Sequence, residues 1–75
     1  MTKLHTNVIL TRDVHTSKLY KGDVGVVVYV HKGGEAFEVE FSTYAGQTIA
    51  VCTLKPSDIQ PMHGDAIPQA RVLVT

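Results

Sequence analysis

The chain has little of several things that small proteins commonly rely on. Its 75 residues include one cysteine, no tryptophan, three tyrosines and two phenylalanines. A single cysteine excludes an intramolecular disulfide framework, which favours a reducing cytoplasm over secretion. Seven basic residues balance seven acidic ones, so the formal net charge is zero. No overall field is therefore expected to attract nucleic acid or an anionic membrane.

Long apolar runs are also missing. The first segment, "MTKLHTNVILTRD", lacks the apolar core of a signal peptide, and no stretch approaches the roughly 18 apolar residues of a membrane span. A chain of this length forms one domain and buries only about 60 to 65 per cent of the surface that its unfolded form exposes. We therefore expect a single cytoplasmic domain with no membrane partner.

What the chain does contain is the hydrophobic alternation of β-strands. In "EAFEVEFS" the residues Phe37, Val39 and Phe41 alternate with polar residues, which is typical of a half-buried strand. The preceding "VGVVVYVH" is a nearly unbroken β-branched run with the composition of a central strand. The glycines of "KGG" lie between these two segments and permit a tight turn, so we predict a β-hairpin from about Val24 to Phe41.

Further strands complete the predicted fold. "STYAGQTIAVCTL" predicts a second hairpin, "NVILTR" a short first strand, and "KPSDIQPM" one turn of 3-10 helix in which Pro56 sets φ. No helix of useful length fits. We predict an all-β fold, a small SH3-like barrel of about five antiparallel strands over residues 1–62 with a short 3-10 turn. A strand-like C-terminal extension follows over residues 63–75.

The segment "KGDVG" joins the long first loop to the valine strand. We expect Gly22 to adopt a left-handed conformation and Asp23 to accept backbone N–H bonds, which together end the loop. Gly25 is expected to let the strand coil sharply or bulge. A phosphate-binding loop would need a helix directly after these glycines, and none is predicted. The residues assigned structural roles are Gly22, Asp23, Gly25, Phe37, Val39 and Phe41.

Groups that often carry catalysis are isolated in this sequence. Glu38 and Glu40 lie about 6.5 to 7 Å apart on one strand face, but such a face offers no cleft to raise either pKa. The four histidines show no short ligand spacing, and Cys52 has no CxxC partner, so Cys52 is expected to be a small buried hydrophobe. We predict no enzymatic activity, no cofactor and no metal site.

A candidate binding surface follows from the predicted topology. In an SH3-like barrel, the long first loop and the hairpin after the second strand rise on the same side. Aromatic and basic side chains from both would share an edge suited to a peptide or a nucleic-acid backbone, or would simply be solvated. The candidate residues, here called the loop rim, are His15, Lys18, Tyr20, Lys21, His31 and Lys32.

The run "KGDVGVVVYVHKGGEAFEVEFSTYAGQTIAVCTL", followed by "IQP", closely resembles an uncharacterised family of small bacterial proteins, domain of unknown function 4926. The resemblance extends from about Val8 to Met62, and its most specific parts are "KGDVGVVV" and "GGEAFEVEF". It implies a fold and a bacterial setting but no activity or catalytic residues. More distantly, "YKGDVGVVVYV" resembles the β-turn-β element of KOW modules in ribosomal and transcription proteins. Those nucleic-acid binders usually carry a basic excess, which is absent here.

The expected function is therefore a non-catalytic binding module with another protein as its partner. Size and family setting suggest the small partner of an adjacent-gene product, similar to an antitoxin. The alternative is a KOW-type RNA-binding accessory module, which a strongly salt-dependent affinity for RNA would favour. The last segment, "ARVLVT", either stays free in solvent or adds as a strand to an edge of its own sheet or a second protomer's. The second case would make a homo-oligomer through the C-terminal extension.

The predicted inward register of the "EAFEVEFS" strand is testable. Phe37→Ala or Phe41→Ala should each lower the free energy of unfolding by about 3 to 5 kcal/mol, since each leaves a cavity in a small core. Urea unfolding monitored by circular dichroism measures this loss, which would unfold much of a domain of this size. Stability retained in both variants would mean that the other face of the strand is buried.

Overall fold

The computed structural model describes residues 2–73 and contains one antiparallel sheet. Its five strands are β1 (Asn7–Leu10), β2 (Val24–His31), β3 (Ala36–Ser42), β4 (Thr48–Leu54) and β5 (Ile59–Pro61). Two 3-10 turns are present, His15–Ser17 in the first loop and Pro56–Asp58 before β5. The prediction of an all-β fold with five antiparallel strands is confirmed. None of the described residues belongs to a helix long and apolar enough to cross a membrane.

The sheet is open. Its strand order is β4-β3-β2-β1-β5, so β4 and β5 are its two edges and do not pair with each other in residues 2–73. The expected closure is absent because β5 has three residues and ends at Pro61, which has no backbone N–H to donate. The C-terminal extension adds no strand either: residues 62–73 carry none.

The core lies on one face of this sheet and is centred on β3. Phe37, Val39 and Phe41 are 2%, 0% and 3% exposed, so the inward register predicted from their alternation is the one observed. Leu19 is also buried and brings a side chain of the first loop into the core. The other buried hydrophobic residues are Val8, Leu10, Val27, Cys52, Leu54 and Ile59.

The valine strand β2 changes face partway along its length. Val27 pairs with Val39 and Tyr29 pairs with Glu38, which leaves Val28 as one extra residue on β2. Such a bulge shifts the side-chain register, so Val27 is buried while Val28 and Tyr29 are exposed. The run of valines hides this shift, because either register looks equally apolar in the sequence.

The bulge of β2 is not at Gly25, and this glycine makes a close contact with β3. The β2 irregularity lies at Val28, and a Cβ built on Gly25 would lie 2.6 Å from Val39 Cγ1 and 2.8 Å from Phe41 Cε1. The same Cβ would lie 2.9 Å from the backbone oxygen of Glu40. The glycine therefore allows the core side chains of β3 to fill the space above β2, a close approach that no other residue permits.

The predicted 3-10 turn is confirmed and is fixed by a buried carboxylate. Asp58 is 7% exposed, and its Oδ2 accepts a 3.0 Å bond from the Lys55 N–H. The Nε of Arg12 donates to Asp58 Oδ1 at 2.7 Å. This bond, more than any other contact, holds the pKa of Asp58 below its ordinary value. The backbone N–H of Thr11 also donates to the Asp58 carbonyl at 2.9 Å, so the end of β1 is tied to the start of β5.

Gly25→Ala should destabilise the fold by about 1 to 3 kcal/mol, because the added methyl group overpacks the core against Val39 and Phe41. Thermal melting measures the loss. The matched control is Gly64→Ala, where an added Cβ meets nothing within 4 Å. Equal melting temperatures for the two variants would contradict the close-approach role of Gly25.

Candidate binding site

The first loop ends in a turn built by Gly22 and Asp23. Gly22 has a φ of 96°, a conformation that favours glycine, and its N–H donates to the Leu10 carbonyl at 2.9 Å. Asp23 Oδ2 accepts a 2.9 Å bond from the Tyr20 N–H. Both local roles are those that the sequence predicts. The turn presents the Asp23 carboxylate at the point where the loop meets β2.

The same carboxylate holds the C-terminal segment. Arg71 donates to Asp23 through Nε at 2.7 Å and through Nη2 at 2.6 Å, which is a bidentate ion pair. Its Nη2 also lies 3.3 Å from the Lys18 carbonyl oxygen. The guanidinium stacks over the Tyr20 ring at 4.8 Å from the centroid, within cation–π range. We call this set of contacts around Arg71 the latch.

The electrostatics of the latch favour the charged forms of both partners. Burial works against the charged Asp23 carboxylate, but the bonds from Arg71 and from the Tyr20 N–H outweigh it and lower the Asp23 pKa. The bond to Asp23 in turn raises the pKa of Arg71. The pair is therefore ionised at neutral pH, and only acid can discharge it.

A groove lies between the C-terminal segment and the β3–β4 hairpin. Its volume is about 700 Å³, within the range of ligand-binding clefts. Its walls are mainly apolar, and among residues 2–73 the only charged residues that line it are the two partners of the latch, Asp23 and Arg71. The apolar lining residues include Leu19, Val24, Phe41, Tyr44, Ile49, Met62, Pro68, Val72 and Leu73.

Part of the predicted loop rim lies beside the latch. Tyr20 and the Lys18 carbonyl contact Arg71, as described above. Lys21 lines a smaller cavity of about 280 Å³ next to the latch, and its N–H donates to Asp13 Oδ1 at 2.7 Å. His15 begins the first 3-10 turn and is exposed. These four rim residues therefore belong to the loop that receives the C-terminal segment.

The other two rim residues lie at the far end of β2. His31 is the last residue of that strand, and Lys32 follows it in the turn with a φ of 45°. The eight-residue strand separates its ends by roughly 23 Å at about 3.3 Å per residue. Among residues 2–73 no hydrogen bond, ion pair or ring contact links this pair to the four loop residues. A binding role for the six remains a prediction.

The two strand carboxylates are engaged in cross-strand bonds on the outer face of the sheet. Glu38 accepts a 2.7 Å bond from Thr53 Oγ1 and lies 2.6 Å from His31 Nε2. The Thr53 bond, followed by the His31 contact, lowers the Glu38 pKa. Glu40 accepts a 2.7 Å bond from Thr48 Oγ1. A general acid would need the opposite shift of the Glu38 pKa. The bonds of Glu38 and Glu40 link β3 to β4.

The remaining candidate groups stay apart. Cys52 is buried, as expected, and its Sγ lies 3.5 Å from Ser17 Oγ. Across residues 2–73, no three histidine, cysteine or acidic side chains are grouped so that they could hold a metal ion.

Sequence reasoning missed Arg71 and the groove. The predicted role of Asp23 used only its ability to accept backbone N–H bonds, although a carboxylate has room for further donors. One signal was present: Arg71 is the only charged residue in "IPQARVLVT".

Arg71→Gln should release the C-terminal segment while the core stays folded. The expected result is faster proteinase K cleavage within residues 68–73 at an almost unchanged melting temperature, since Arg71 lies outside the core. The matched control is Arg12→Gln, which breaks the other Arg–Asp pair and should leave the segment protected. Equal cleavage of both variants would contradict the latch.

Acid should act on the wild-type latch in the same way. Because the folded pKa of Asp23 is lowered, its stabilising contribution is present above the ordinary aspartate value of about 3.9. The contribution disappears as the pH falls through the lowered folded pKa. The backbone of residues 69–73 should therefore be ordered at neutral pH, and its 15N order parameters should fall only below about pH 4. Order parameters that stayed high in acid would mean that other contacts hold the segment.

Comparison with known proteins assigns the chain to a family. No curated protein and no solved structure matches the chain. The family model DUF4926, a domain of unknown function, matches residues 4–61. That match covers all five strands and the first loop with Asp23, and it ends before the segment that carries Arg71. The chain therefore belongs to the DUF4926 family.

Proposed function

We propose that the domain is a non-catalytic protein-binding module whose groove receives an extended segment of a partner polypeptide. The observation that carries the proposal is the apolar groove of about 700 Å³ between the C-terminal segment and the β3–β4 hairpin. An extended chain with two or three apolar side chains fits such a cleft, as in other modes of peptide recognition.

The lining chemistry favours apolar side chains over a phosphate backbone. Within the described part of the chain, Asp23 and Arg71 are the only charged residues of the groove, and they neutralise each other. A nucleic-acid site would instead need free basic groups, because phosphate contacts supply most of the affinity. Tyr44 at the hairpin and Val72 on the opposite wall are 109% and 89% exposed, so large apolar surface is available to a partner.

The size of the chain is compatible with a finer proposal. With 75 residues and one small core, the domain suits the role of the smaller member of a two-protein pair, such as the antitoxin-like partner of an adjacent-gene product. In such a pair the larger protein would supply the segment that enters the groove. The shielding of apolar groove surface would then give the complex its stability, with little dependence on salt.

The proposal is tested by affinity capture with matched tyrosine variants. Wild type, Tyr44→Ala and Tyr29→Ala are each used to capture partners from the native cytosol at low and high salt. Tyr44 lines the groove, whereas Tyr29 is 57% exposed on the outer face of the sheet. One polypeptide should be captured by wild type and Tyr29→Ala at both salt concentrations, and at least tenfold less should be captured by Tyr44→Ala.

Both variants should melt like wild type, because neither tyrosine belongs to the core. A normal melting temperature shows that the fold is intact. Capture that is equal in the two variants would remove the groove as the binding site. RNA captured at low salt and lost at high salt would support the KOW-type alternative and contradict the proposal.

A further inference from the structure

The two edge strands of the sheet differ in how well they are protected from pairing with a further strand. The β5 edge has three residues and ends in a proline, so it offers little backbone for a further strand. The β4 edge has seven residues, "TIAVCTL", with no charged residue and no proline. Natural proteins commonly protect an open edge with charges, prolines or very short strands, and β4 has none of these.

The outer backbone of β4 is unpaired along its regular part. The ladder to β3 pairs Phe41 with Ala50 and Ser42 with Thr48, so Ile49 is a bulge and the regular strand runs over Ala50–Leu54. In residues 2–73, no backbone bond other than the ladder to β3 reaches these five residues. Free N–H and C=O groups spaced along an extended strand are complementary to another extended strand.

We propose that this edge pairs with the same edge of a second copy of the chain, antiparallel about a two-fold axis at Cys52. In that register Ala50 lies opposite Leu54 of the second copy, and Val51 lies opposite Thr53. The two sheets join into one of ten strands. The bulge at Ile49 and the proline at position 56 end the shared ladder at its two ends.

The exposed side chains and the nearby charges of the β4 edge are compatible with pairing between two copies. Val51 is 54% exposed on the outer face, and the pairing would cover it with a threonine from the second copy. On the outer face of the joined sheet, Glu38 of one copy and Glu40 of the other would lie three strand spacings, or about 14 Å, apart. That distance exceeds the Debye length of about 8 Å at physiological salt, so repulsion is screened. The zero net charge of the chain removes long-range repulsion as well.

The inference is independent of the proposed function, because none of Ala50–Leu54 lines the groove. A five-residue edge on each side makes an interface at the small end of the known range, so association should be weak and concentration-dependent. It also differs from assembly through the C-terminal extension, since that segment is held by its own chain through Arg71.

The test is sedimentation equilibrium of the full chain from micromolar to millimolar concentration, with amide exchange measured at both limits. Wild type should shift from monomer to dimer, and protection should increase only in Ala50–Leu54. Val51→Lys places a charge on the edge and should weaken the dimer at least tenfold. The matched control Val28→Lys, on the β2 bulge, should dimerise like wild type.

Circular dichroism shows whether each variant is folded. If a variant does not fold, the wild-type concentration series still tests the proposal. A mass that stays monomeric at every concentration overturns the proposal. So does a dimer that Val51→Lys forms as readily as Val28→Lys, or a dimer in which the new protection falls on residues 63–73. Loss of partner capture in Tyr44→Ala with an unchanged dimer mass would leave this inference intact, since the two sites share no residue.

Discussion

The structure depends on the packing of β3 against β2 at Gly25. A single small sheet must bury Phe37, Val39 and Phe41 on one face, and only a residue without a side chain leaves room for the last two. This contact fixes which face of the sheet is the core. Once the core face is fixed, the direction of each outward side chain on β3 and on residues 50–54 of β4 follows from the two-residue period. The β3–β4 hairpin then stands in a defined position beside the groove.

The latch and the groove lie at the edge of that core. Asp23 lies two residues before Gly25, so the turn that starts β2 also places a carboxylate where the C-terminal segment passes. One arginine then supplies a bidentate ion pair and a stacking contact, and the segment becomes a wall of the groove. The family match ends at residue 61, so the latch combines a residue inside the matched region with one outside it. The C-terminal wall of the groove is thus attached to the matched part of the chain through Asp23.

Local patterns predicted the strands well because alternation and turn residues are local properties. The register of β3, the hairpin from Val24, the 3-10 turn at Pro56 and the backbone bond to Asp23 all depend on neighbours a few residues away. The features that were missed depend on distant residues. The bulge at Val28 is invisible in a run of valines, and the Asp23–Arg71 pair joins positions 48 residues apart.

The same distinction explains the loop rim and the open sheet. The prediction of the loop rim required the first loop and the β2–β3 turn to lie close together. Loop length alone does not specify how far β2 separates them. Closure of the barrel depended on a last strand long enough to pair on both sides, and Pro61 ends β5 after three residues. Both features are set by three-dimensional distances between elements, which composition and periodicity do not specify.

The central claim is that a partner polypeptide enters the groove beside the latched C-terminal segment. The most direct measurement is photo-crosslinking in the native cytosol, with a photoreactive phenylalanine analogue placed at position 44 in one protein and at position 29 in another. A single polypeptide adduct at position 44 and none at position 29 is the result that this account predicts. Adducts at position 29 alone, or nucleic acid crosslinked at position 44, would contradict it.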